Sequence, residues 1–217
     1  MPVVIHGGGT IEGIAVGGLP DGTVDADMLA SNAVTSVKIL DDAITGAKIA
    51  GSAVTSGSIS GFAEGISGYD TWSLTSDKNW SGENTFDSGF TRNTNIPAIG
   101  SAMTLSSGVF TFPTTGIWEV YLVADVYDGT PNAYSTVYIY KSTDGGSSWS
   151  TIGLGSDSLW DDDQNVYCNP SCSAAVDVDN TSNIKVKLTI ENEQGAHVAA
   201  NASTLRTYAT FKRLGDT

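Results

Sequence analysis

From Val24 to Ile59 a branched aliphatic side chain falls at every fifth position: Val24, Leu29, Val34, Ile39, Ile44, Ile49, Val54 and Ile59. The underlying unit is ten residues long. Ala33, Ala43 and Ala53 align in it, as do Thr35, Thr45 and Thr55, and Lys38 and Lys48 precede Ile39 and Ile49. A fixed period of this kind is the mark of a repeat architecture.

The spacing of five excludes the simplest solutions. In an α-helix five residues turn the chain by about 500°, so successive aliphatics land about 140° apart and form no stripe. Ten residues also fit a helical turn less well than the 7- and 11-residue repeats of coiled coils. In a flat strand an odd spacing alternates between faces. A chain that bends between short extended pieces turns every aliphatic inward, and Ser31-Asn32, Asp41-Asp42 and Gly51-Ser52 suit such bends. One aliphatic per five residues leaves that inward face incomplete in a single chain, so three intertwined copies around an axis are expected, with the eight aliphatics as the trimer core. A flexible low-complexity linker and discrete short helices, at Ala26–Leu29 and Ala47–Ala50, are the alternatives.

The aromatic residues fall on the other side of a boundary. The first 61 residues contain no Phe, Trp or Tyr, and all 19 lie from Phe62 onward. Aromatics dominate core energetics, so the 217-residue chain divides into a part without an ordinary core and a part able to build one. The expected organisation is an N-terminal segment over 1–18, a repeat stem over 19–61 and a head over 62–217. The Gly/Ser-rich stretch Ser56–Gly61 marks the junction.

Charge narrows the partners. A net charge of −14 repels phosphate, so no nucleic-acid partner and no anionic membrane surface is expected. No apolar run reaches the roughly 18 residues of a membrane span, and Met1–His6 lacks the basic start and apolar core of a secretion signal. Assembly in a cytoplasm is the expectation. Cys168 and Cys172, in Cys-Asn-Pro-Ser-Cys, are too few for a zinc site beside His6 and His197. They read as two loop thiols, with a local disulfide as the alternative.

The head reads as strands and turns. Ile117–Val126 is one long expected strand, with Trp118, Val120, Leu122, Ala124 and Val126 on one face. Ser135–Lys141 sets Val137 and Ile139 against Tyr138 and Tyr140. Ala174–Val178 is a short strand. Asn183–Glu191 alternates Ile184, Val186, Leu188 and Ile190 with polar residues, and Leu205–Leu214 is a closing run. No long helix is expected. The fold class is all-β, a β-rich trimeric stem followed by an antiparallel sandwich.

The stretch Ser107–Val120, with Phe110, Phe112, Pro113, Gly116 and Trp118, resembles the central signature of the complement globular-head and tumour-necrosis-factor jelly roll. The closing Tyr208-Ala209-Thr210-Phe211 is similar to that family's last core strand. Leu19–Ala30 resembles the stems of fibre-like phage proteins that carry such heads. The resemblance covers about 69–217 in the head and 19–60 in the stem. It implies a jelly-roll head, a homotrimer with Tyr and Trp around its axis, and a virion fibre. Asp157–Asn169 departs from the family pattern.

Chemistry is sparse. His197 has no nucleophile motif around it, and Gly7–Gly9 lacks the Lys-Ser/Thr that completes a phosphate loop. Asp161–Asp163 could hold a hard cation such as calcium but reads first as a solvated loop. No catalytic, cofactor or metal residue is expected, and the chain is read as no enzyme. Trp149, Trp160 and Tyr167 stand in Ser/Gly/Asp/Asn-rich surroundings and are the candidate platform for a ligand. The expected function is a structural phage fibre: residues 1–18 dock other virion proteins, and the head binds a host surface glycan or protein. A capsid decoration or tail-assembly component without a receptor is the alternative.

Overall fold

Every regular element described in the computed structural model is a β-strand. The described residues are 4–5, 11–12, 39, 65–128, 132–159 and 166–217. The chain divides into two units, Met1–Phe62 and Ala63–Thr217.

In the first unit β1 (Val4–Ile5) pairs antiparallel with β2 (Ile11–Glu12), Ile5 opposite Ile11. Of the repeat aliphatics only Ile39 is described. It lies at a bend, 40% exposed in the single chain. Val24, Leu29, Val34, Ile44, Ile49, Val54 and Ile59 lie outside the described residues.

The second unit runs β3 (Gly68–Leu74), β4 (Lys78–Thr85), β5 (Phe90–Arg92), β6 (Thr104–Ser106), β7 (Val109–Thr111), β8 (Gly116–Val123), β9 (Val126–Asp128), β10 (Asn132–Ser142), β11 (Ser150–Leu159), β12 (Val166–Cys168), β13 (Ser171–Val178), β14 (Lys185–Val198) and β15 (Tyr208–Gly215). A five-stranded sheet has the order β13-β8-β15-β3-β5. An eight-stranded sheet runs β11-β10-β14-β7-β6, with β4 and β9 also on β14 and β12 on β9. All pairs are antiparallel. The chain crosses repeatedly between the sheets, the wrapping of a jelly roll, although β6–β7 and β9–β12 stay within the eight-stranded one.

Alternation decides which side chains meet between the sheets. Trp118, Val120 and Leu122 of β8, Phe211 of β15, Val137 and Ile139 of β10, and Val186, Leu188 and Ile190 of β14 are all buried. Phe110 and Phe112, two residues apart in the Ser107–Val120 signature, both enter this core. Phe110 meets Trp72 edge-on at 5.2 Å and Phe211 at 4.7 Å, and Phe112 lies 5.5 Å from Trp118. Such aromatic pairs each contribute about 0.5–1.5 kcal/mol beyond their buried area. Ser107 and Gly108 both have positive φ (50° and 76°), the two-residue turn that matches strand twist in the β6–β7 hairpin.

The Ile117–Val126 run is not one strand. It breaks at Ala124-Asp125, so β8 belongs to the five-stranded sheet and β9 to the other. Its partner breaks beside it: Cys168 pairs with Val126 in one sheet, Cys172 with Leu122 in the other, and the Ala124 amide donates to the Pro170 carbonyl at 3.1 Å. The corner is held by polar bonds. Asp125 pairs with Arg206 at 2.6 Å, its amide donates to Thr207 Oγ1 at 3.0 Å, and its carbonyl accepts from the Ala199 amide at 2.8 Å. Ala124 and Val126 stay buried through the bend, which is why alternation alone cannot reveal it.

Candidate binding surface

The outward face of the eight-stranded sheet carries a concentration of rings and charges. In-register neighbours on antiparallel strands share a face, so the outward residues of β14 organise it. Lys187 lies opposite Tyr140 of β10, and its ammonium sits 4.8 Å from the Tyr140 ring and 5.2 Å from the Trp149 ring. Trp149 is thereby placed beside a lysine at the end of the β10–β11 loop. That loop is ordered around Asp144, whose carboxylate accepts from the Ser148 hydroxyl at 2.6 Å and from the Ser147 and Ser148 amides at 2.9 Å. These bonds, the Ser148 hydroxyl first, hold its carboxyl well below the usual range.

Further along, Tyr138 donates to Glu191 at 2.7 Å and stacks on Tyr140 at 5.8 Å. The hydrogen bond to Glu191, followed by burial, pushes the Tyr138 phenol up to about 12. Glu191 stands opposite Glu83 of β4, which accepts from Thr189 Oγ1 at 2.9 Å. Like charges directly opposite are unfavourable, and the hydroxyl donors offset that repulsion.

At the far end of β14 a row of rings crosses three strands. Tyr167 of β12 is paired with Tyr127 of β9, and Tyr127 with His197 of β14. The Tyr127 and His197 rings are stacked, 4.9 Å apart and 12° from parallel; Tyr127 and Tyr167 are 5.7 Å apart and tilted by 30°. His197 is thus a half-buried strand residue. Asn79 of β4 lies opposite it on the other side. Asp77 accepts from the Ala200 amide at 2.7 Å and is 3.5 Å from the Tyr127 hydroxyl.

The expected platform residues do not converge. Tyr167 joins Tyr127 and His197, Trp149 joins Lys187 and Tyr140, and Trp160 and Asp161–Asp163 lie outside the described residues. Tyr127 and His197 were not legible as site residues, because only the register of β9, β12 and β14 brings them together. The thiols are not loop groups: Cys168 and Cys172 are buried, 3% and 9% exposed. Burial pushes them up to about 12 and about 11, with the Asp157 charge adding to the shift at Cys168. Among the described residues no group of three or more His, Cys, Asp or Glu is placed to hold a metal ion.

The outward face of the five-stranded sheet carries its own tyrosines. Tyr121 and Tyr208 lie 6.1 Å apart, and Lys212 bridges to Glu119 at 2.6 Å.

No family model matches the chain, and no curated protein matches it. Solved structures do. Murine APRIL at pH 8.5 aligns over 68% of this chain and 98% of its own, at 11% identity and a TM-score of 0.48. Eiger, a TNF from S. frugiperda, aligns over 69% of this chain and 93% of its own, at 14% identity and a TM-score of 0.50. Identities this low speak for fold alone. With the strand order above, the likeness to Eiger shows that the chain is all-β and that its head is a tumour-necrosis-factor-like jelly roll.

Proposed function

We propose that this chain is the structural protein of a phage fibre: a homotrimer whose stem holds three jelly-roll heads toward a host surface ligand. The observation that carries the reading is the joining of a jelly-roll head to an aromatic-free, aliphatic ten-residue repeat. The repeat needs partner chains to complete a core. The outward Tyr121 and Tyr208 of the five-stranded sheet offer the head a surface on which copies can meet. Residues 1–18 would dock to other virion proteins, and the particle would assemble in the host cytoplasm. Threefold display turns weak single contacts into avid ones.

In this reading the head binds and does not catalyse. The buried thiols are held protonated, and the His197 ring lies against Tyr127. Light scattering on the full chain is expected to give three times the 22.5 kDa chain mass, and antibody labelling of virions to mark fibres. A monomeric mass, or virions that take up no label, would overturn the reading. Label on the capsid shell would replace it with a decoration protein.

A further inference from the structure

We draw no further inference here: the strongest candidate, the cavity of about 420 Å³ between the edge strands β5 and β6, lined by Trp72, Asp87, Phe90 and Leu105 among others, carries none, because nothing in the structure shows what covers it.

Discussion

Gly155 of β11 lies against the Ser171 carbonyl of β13 so closely that a Cβ at position 155 would stand 1.8 Å from that oxygen. The two residues belong to different sheets, so this approach closes the sandwich along one seam. Only a residue without a side chain permits it. Gly155→Ala is expected to force β11 and β13 apart and to cost about 1–3 kcal/mol. Thermal unfolding measures this, with Gly65→Ala, where a Cβ meets nothing within 4 Å, as the neutral control. Equal midpoints for the two variants would mean that the seam is looser than the structure shows.

Asp70 is a buried carboxylate, 2% exposed, with its partners in place. Arg92 donates to it twice, at 2.8 and 2.7 Å, and the Trp72 indole and the Met103 amide each donate at 3.0 Å. Arg92→Ala would leave a buried charge short of its counterion and should cost about 3 kcal/mol. Arg92→Lys should recover only part, since an ammonium cannot reproduce the two-pronged contact. Denaturant titration of both variants decides.

Thr71 is buried at 2%, and its hydroxyl has no hydrogen-bond partner among the described residues. An unsatisfied buried hydroxyl costs about 1–3 kcal/mol. Thr71→Val keeps the branched shape and removes the polar atom, so it should raise stability by about 1 kcal/mol. A lower melting midpoint in the variant would show that the hydroxyl is solvated or bonded after all.

The thiols predict a pH dependence. Both folded-state values, about 12 for Cys168 and about 11 for Cys172, lie above the ordinary 9.0. The folded protein therefore keeps protons that the unfolded chain releases. This contribution is complete below pH 9 and is lost as pH rises through about 11 and 12. Stability should fall across that alkaline window, and less steeply in a Cys168→Ala/Cys172→Ala double variant. At pH 8 iodoacetamide should modify the native protein slowly and the denatured protein fast. Rapid native labelling would contradict the burial.

On the proposed trimeric stem, Ile44→Asp would bring three carboxylates together on an axis. A trimer built on the repeat should then dissociate, with a fall in mass by light scattering. An unchanged mass would show that the aliphatic repeat is no packed core.

The sequence by itself determined the all-β class, because period-2 alternation in Ser135–Lys141, Asn183–Glu191 and Leu205–Leu214 leaves one buried face per strand. Trp118 was legible as core for the same reason, whereas Phe110 and Phe112 stood out through the jelly-roll resemblance and proved to be core. Aromatics begin only at Phe62, and they confine any aromatic core to the residues from there onward. Alternation reports which face is buried but not which sheet receives it. The corner at Ala124-Asp125 was therefore invisible, being fixed by distant partners in Pro170, Thr207 and Arg206. The Ser- and Gly-rich β11 gave no apolar signal, because it is an edge strand held by β10 and by the close approach at Gly155. The candidate site was half legible: Tyr167 stood out by its surroundings, whereas Tyr127 and His197 became its neighbours only through strand register. Register is a property of the assembled sheet, and tertiary structure alone decided which rings would touch.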